Sequence, residues 1–329
     1  MFFHVSNQSS GIARRSLLAC LLAGIVAPLR AQNKWPNKVL RIVIPFVPGG
    51  PPDAVARLIL PKLQENLGQT IVIDNRGGAG GNIGTQMVAK SPADGNTLLL
   101  TSTAFVINTQ FPESNYNAQT DFLPVTITAT QSHVIVVHPS LPVKTLAELI
   151  NLARTNPMAF ASPGSGTAPH LTAERFFNLV SKVNMTPIHY RGAGLAVGAV
   201  VAGEPKVGCM AIAGPLQNIK AGKLRALAVS SAHRLATLPD VPTLAELGFA
   251  DILDSTWVGA FLPAGTPTSI QTRWYEAFSQ VLALPEIQEK IQSFAFDIIA
   301  DSPARTNEYL KNEIQLWGDV IRRTGIKIE

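Results

Sequence analysis

Two glycine-rich turns, each directly after a β-like run, constrain this chain more than any other feature. Leu40-Arg41-Ile42-Val43-Ile44-Pro45-Phe46 opens into Val47-Pro48-Gly49-Gly50-Pro51-Pro52-Asp53. Thr70-Ile71-Val72-Ile73-Asp74 opens into Asn75-Arg76-Gly77-Gly78-Ala79-Gly80-Gly81-Asn82. Both turns lead into helix-like stretches. A strand, a tight glycine turn and a helix N-terminus aim free backbone N–H groups at one point, where the helix dipole favours an anion. In open α/β sheets that point lies at the carboxyl ends of the strands. The pattern predicts a chain built to hold a small anion.

Strand and helix signals alternate after Trp35, which predicts an α/β fold with mainly parallel sheets. The first helix is expected over about 53–67, with Asp53 as N-cap, Gly68 as left-handed stop and Pro61 as an internal kink. Its core stripe is Val55, Leu58, Ile59, Leu63 and Leu67. A helix over about 83–89 and a buried strand over 97–101 follow. A strand over 134–137 then leads to a helix capped by Thr145 and Glu148. Beyond it the expected elements are strands at about 158–161, 186–190 and 224–230, with helices at about 171–180 and 195–202. Helices over about 268–283 and 303–324 close the chain.

Charged residues make up 15% of the sequence and apolar residues 46%, which argues against disorder. The first 31 residues read as a cleavable export signal: Arg14-Arg15 as the charged part, Ser16 to Leu29 as the apolar part, and Leu29-Arg30-Ala31 as the exit. The apolar part is too short to span a bilayer. A twin-arginine signal fits only partly, and Cys20 lies too close to Arg15 for lipoprotein processing. Losing Arg14, Arg15 and Arg30 lowers the formal charge from +5 to about +2. No basic run interleaves with aromatics, which argues against nucleic acid. Cys209 would then be alone, in the apolar run Val207-Gly208-Cys209-Met210, as a buried inert thiol.

The order of these motifs resembles the tripartite tricarboxylate transporter substrate-binding proteins, also called the Bug family. The resemblance rests on P-F-x-P-G-G-x-x-D at the first turn, D-N-R-x-G-A-G-G-N-I-G at the second, and Asp94-Gly95-Asn96-Thr97-Leu98-Leu99-Leu100. It continues through Ser162–His170, Ala221–Ala228, Leu238–Thr243, Pro263–Pro267, Trp317-Gly318 and Gly325-Ile326-Lys327. It implies a two-lobed α/β solute-binding fold with two interlobe crossings: residues 32–137 in lobe 1, 138–257 in lobe 2, and 258–329 returning to lobe 1. It also implies a monomeric periplasmic protein that closes about a hinge near Val137 and Val258. Such a protein captures a small carboxylate without a cofactor or metal and delivers it to the membrane subunits of a transporter.

The first turn supplies Pro48, Gly49, Gly50 and Asp53 as candidate ligand-binding residues, with Gly49 and Gly50 free to adopt positive φ. Asp53 caps the helix, orients waters, or accepts a hydrogen bond from a ligand hydroxyl or amino group. Pro51 and Pro52 remove two N–H donors where the family carries small or polar residues. The second-lobe candidate is Ser162-Pro163-Gly164-Ser165-Gly166-Thr167-Ala168-Pro169-His170. The hydroxyls of Ser162, Ser165 and Thr167, with N–H groups at the start of the following helix, would make a neutral anion nest, with Gly164 and Gly166 in the same loop. Ser102 and Thr103 end a first-lobe strand, and Asn108 follows a few residues on. Arg191 ends a second-lobe strand and either offers charge to a carboxylate or is a solvated surface arginine. Ala213 offers only backbone, and Trp257 is either a pocket wall or hinge packing.

Three other readings have weaker support. The second turn lacks the third glycine of a dinucleotide fingerprint, and helix–sheet packing accounts for many of its glycines. Gly-x-Ser-x-Gly fails at Pro163, and His170 is too local to serve Ser165 as a catalytic base, which leaves an exported hydrolase as a remote alternative. The histidines show no metal-ligand spacing. A fourth reading, a ligand sensor for a membrane kinase, needs the same closure on ligand, and the sequence does not separate it from the transporter role.

Overall fold

A computed structural model describes residues 1–4 and 35–327. Arg14, Arg15, Cys20 and the rest of the expected export signal beyond residue 4 lie outside the described residues. The chain divides into two compact units, Met1–Asn37 and Lys38–Glu329, and the second carries all the elements that follow.

The first half alternates as expected: β1 (Leu40–Ile44), α1 (Pro51–Leu67), β2 (Ile71–Asn75), α2 (Asn82–Ala89), β3 (Thr97–Ser102) and a single turn, α3 (Ala104–Ile107). The long strand β4 (Phe122–Val137) leads to α4 (Leu146–Thr155), β5 (Met158–Ser162), α5 (Ala168–Glu174), β6 (Met185–His189), α6 (Ala193–Ala202), β7 (Val207–Ala211), α7 (Leu216–Lys220) and β8 (Arg225–Val229). The chain ends with β9 (Ser255–Pro263), α8 (Thr268–Leu282), α9 (Pro285–Ser293), β10 (Asp297–Ile298) and α10 (Pro303–Thr324).

Two parallel trios anchor the sheets, β2-β1-β3 and β7-β5-β6. The remaining pairings are antiparallel, so the expectation of mainly parallel sheets is corrected. The cause is β4. Its first part, Phe122 to Ser132, pairs with β9, and its last part, His133 to Val137, pairs with β7 and β8. The chain thus leaves the first sheet along β4 and returns along β9, and paired strands of that kind run in opposite directions. The change of partner falls at Ser132–His133, while Val137 and Val258 both sit in paired strand.

Local chemistry explains the element ends. Gly50, not Asp53, is the N-cap of α1, because Pro51 and Pro52 fit a helix's first turn, where an N–H would have no partner. The helix continues unbroken through Pro61 to Gly68, whose φ of 64° and amide bond to Glu65 close it as predicted. Thr145 and Glu148 form the expected capping box on α4. α5 begins before the predicted Leu171, again because Pro169 is accepted in a first turn, and it runs on into a π-helix, Arg175–Val180.

The core beside the first sheet gathers Phe105, Phe122, Phe261, Trp257 and Trp317, with Phe105 and Phe122 edge-to-face at 5.1 Å. Around the second sheet, Phe160, Phe176 and Phe177 pack in one cluster and Val134, Val197 and Met210 in another. Cys209 is fully buried, and burial, then Asp254, pushes its thiol far up, which fits the inert role.

Candidate ligand-binding site

Where the loops of the two sheets meet, two spaces share Phe46, Val47, Pro163, Thr167 and Gly192. The larger, about 590 Å³, is a groove between the Gly77–Gly81 turn after β2 and the Pro163–Thr167 and His189–Gly192 segments after β5 and β6. The smaller, about 50 Å³, is an inner chamber walled by Gly50, Pro51, Pro52, Ser102, Ala168, Pro169, Ala193, Ala211 and Thr256. The groove falls within the usual size of a small-ligand site, and the chamber has room for a carboxylate group or a few waters.

Three helices begin at the chamber wall. Gly50-Pro51 opens α1, Thr167-Ala168 opens α5 and Gly192-Ala193 opens α6. Their positive dipole ends converge on a space whose lining carries no formal charge, and each end favours an anion by a few tenths to about 1 kcal/mol. Among the described residues lining either space, the only formal charge is Arg191, exposed at the groove.

The glycines permit close approach between the two sides. A β-carbon on Gly80 (φ 62°) would lie 2.8 Å from the Ser165 carbonyl oxygen, and one on Gly192 (φ 129°) would lie 2.3 Å from Val47 Cγ2. Gly49 takes φ 95° and faces Gly194, with Pro48 beside it. Gly50 has φ −87°, so the expectation of positive φ holds for Gly49 alone.

Of the sixteen candidate residues, Gly50, Ser102, Gly164, Ser165, Thr167 and Arg191 line these spaces. Others build the walls from behind, which corrects the roles expected of them. Asp53 is buried and neither caps α1 nor lines the site. Its carboxylate accepts from the Gly49 amide (3.1 Å), Asn75 Nδ2 (3.2 Å) and Arg57 Nε and Nη2 (2.8 and 3.0 Å). Burial raises this carboxyl, but the Arg57, Gly49 and Asn75 hydrogen bonds outweigh it and hold it below its ordinary value. The hydroxyls of Ser162 and Thr167 turn onto the Gly164 carbonyl (3.1 and 2.8 Å), so they shape the loop instead of offering hydrogens outward.

The Gly166 amide donates to His170 Nδ1 (3.4 Å), while His170 Nε2 faces Glu174 at 4.0 Å. Burial, then His189, depresses His170 to about 3, so a neutral imidazole supports this loop, with Nδ1 already occupied. Thr103 accepts the Trp257 amide (3.0 Å), and Trp257 Nε1 donates to Glu313 (2.8 Å), as does Trp317 Nε1 (3.0 Å). Trp257 is thus a fully buried core residue of the first sheet, not a pocket wall. Asn108 Nδ2 donates to Gly80 O (2.9 Å), and the Ala213 amide donates to Gln131 Oε1 (2.8 Å).

Lining residues outside the sixteen candidates are Phe46, Val47, Pro51, Pro52, the Gly77–Gly81 turn, Ile83, Pro163, Ala168, Pro169, His189, Tyr190, Gly192, Ala193, Ala211 and Thr256. Most contribute backbone or apolar surface, which leaves no side-chain signature. The glycines of the second turn line the groove, in keeping with the anion-holding turn that the sequence predicts there. Among the described residues, no helix is long and apolar enough to cross a membrane, and no group of three or more His, Cys, Asp or Glu is placed to hold a metal.

Two sheets exchanging strands, with helix N-termini meeting between their loops, define a solute-binding protein of the periplasmic type. The profile of the tripartite tricarboxylate transporter family receptors matches residues 55–326, and the chain belongs to that family. It is 37% identical to the UPF0065 protein of the tcbD–tcbE intergenic region of Pseudomonas sp. strain P51, over 95% of each chain. Among solved structures it resembles Rpa4515 of R. palustris with adipate (31% identity, TM-score 0.85, 89% of this chain and 99% of that one). It also resembles MatC of Rhodopseudomonas palustris with bound malate (29% identity, TM-score 0.82, 87% of this chain and all of that one). Members of this family are periplasmic binding proteins.

Proposed function

We propose that this chain is an exported receptor that captures a small carboxylate between its two sheets and hands it to the membrane subunits of a tripartite tricarboxylate-type transporter, without chemical change to the cargo. The observation that carries this reading is the meeting of three helix N-termini at an uncharged chamber, with Arg191 at the groove outside. Adipate and malate in the related structures support a carboxylate, and the family supports the transporter. One carboxylate enters the inner chamber, against Gly50, Ser102 and Thr167, and the rest of the ligand lies in the groove by Gly164, Ser165 and Arg191. Donors that are neutral dipoles suit a carrier, because they hold an anion without a fixed countercharge that would oppose release.

The test is a thermal-shift screen of carboxylates against their methyl esters. A bound acid at a hundred times its dissociation constant stabilises by about 2.7 kcal/mol. The expected result is that acids raise the melting temperature and their esters do not. Equal shifts for acid and ester would overturn the reading.

A further inference from the structure

Behind the chamber, a chain of buried polar groups runs from Thr256 in its wall through the crossing strand to Arg175. Thr256 Oγ lies 2.8 Å from His133 Nε2, and His133 Nδ1 lies 3.0 Å from Thr172 Oγ. Thr172 Oγ donates to Asp254 Oδ2 (2.9 Å), and Asp254 Oδ1 accepts from Arg175 Nη1 (3.0 Å). His133, Thr172, Thr256 and Asp254 are all at least nine-tenths buried. A second set of bonds fixes the frame, since the His133 amide donates to Ser230 Oγ (2.9 Å) and Ser230 Oγ donates to the Asp254 carbonyl (2.5 Å).

The proton directions in this chain follow from its end. Burial raises the Asp254 carboxyl and Arg175 opposes that. A carboxylate paired with Arg175 at 3.0 Å can only accept, so the one Thr172 hydroxyl hydrogen goes to Asp254. Thr172 Oγ must then accept from His133 Nδ1, which therefore carries the ring hydrogen. Burial depresses His133 to about 3, so the ring is neutral and Nε2 is bare. A bare Nε2 at 2.8 Å takes the hydrogen of Thr256. The Thr256 hydroxyl has none left for a ligand.

We infer that Thr256 is a specificity-determining acceptor: its oxygen offers lone pairs to the chamber and selects carboxylates that carry a hydroxyl beside the acid group over the same acids without it. The inference rests on the carboxylate-receptor reading and adds a polarity to one wall of that site. A hydroxyl donating to Thr256 satisfies both partners, whereas a carboxylate oxygen there would meet lone pairs. A site built for a hydrogen-bonding substituent rejects the analogue that lacks it much more strongly than an apolar pocket separates a methylene. Asp254 acts through Thr172 and His133 as a positioning residue.

Two measurements test this together. In the first, nitrogen NMR of histidine-labelled protein reads the His133 tautomer. The expected form is Nδ1–H with bare Nε2 in the wild type. The expected form in Asp254→Asn is the reverse, because an amide oriented by Arg175 through its oxygen donates its N–H to Thr172 and turns the chain around. In the second, calorimetry compares succinate with malate, glutarate with 2-hydroxyglutarate, and propionate with lactate. At least about tenfold preference for the hydroxylated member is expected in the pairs that bind. Thr256→Ser should keep that preference, and Thr256→Val and Asp254→Asn should lose it. An Nε2–H tautomer in the wild type, equal affinities within each pair, or a preference that survives Thr256→Val would overturn the proposal. Binding of no acid at all would overturn the carboxylate reading and with it the specificity role, while the tautomer would still decide the direction of the chain.

Discussion

Asp53 receives hydrogen bonds from a turn, a neighbouring strand and its own helix, and so fixes the glycine turn that forms one wall of the chamber. Asp53→Asn keeps the volume but weakens the Arg57 pairing and the Gly49 contact, and it should lower stability near neutral pH and loosen ligand binding. The pH dependence has a definite sign. The folded carboxyl is held below its unfolded value of 3.8, so its contribution is present above that pH and is lost as pH falls through the folded value. The melting-temperature gap between wild type and Asp53→Asn should therefore narrow between pH 6 and pH 3. A gap that stays constant or widens would show that Asp53 does not stabilise through its charge.

Arg191, by contrast, is exposed, and screened surface pairs contribute about 1 kcal/mol or less. Arg191→Ala should weaken dicarboxylate binding by no more than about fivefold, and the loss should shrink in high salt. A loss of a hundredfold would move the main anion contact from the chamber to the groove. The residue types at the first turn were legible because glycine and proline carry strong backbone meaning. Thr256 was not, because a threonine in an apolar strand reads the same whether its hydroxyl serves a neighbour or a ligand.

At the scale of elements, periodicity and caps located most helices to within a few residues, and Thr145 with Glu148 fixed the start of α4 outright. What stayed hidden was which sheet each strand joins. β4 is almost wholly buried on both sides of Ser132, but the polar run Thr130-Gln131-Ser132-His133 interrupts its apolar pattern, so only its last part, Val134 to Val137, read as strand. α9, with only Ile287 and Ile291 buried, gives too little periodic signal to stand out. The α4 cap offers a clean comparison with the site, because no residue of α4 lines either space. Thr145→Ala should cost about 1 kcal/mol in chemical denaturation and leave ligand affinity unchanged. A matching loss of affinity would mean that α4 is coupled to the site through the second sheet.

At the scale of the whole molecule, the proposed capture between two sheets requires binding to depend on how closely the two sides approach, and Gly80 tests this most directly. Its β-carbon position lies 2.8 Å from the Ser165 carbonyl oxygen across the groove, a backbone atom that cannot rotate away. Ordinary contact needs about half an ångström more, so an alanine there keeps the two loops apart. The backbone itself accepts the change at modest cost, since neighbouring Ala79 already takes φ 46° in the same turn. Gly222→Ala is the matching control, with φ 69° and nothing within 4 Å of its β-carbon. Both variants should lose about 1 kcal/mol of stability, and only Gly80→Ala should lose binding, by tenfold or more. In X-ray scattering with a carboxylate that binds the wild type, wild type and Gly222→Ala should become more compact on loading, and Gly80→Ala should not. If Gly80→Ala binds and compacts like the control, the ligand is held on one side alone, and approach of the two sheets contributes nothing to affinity.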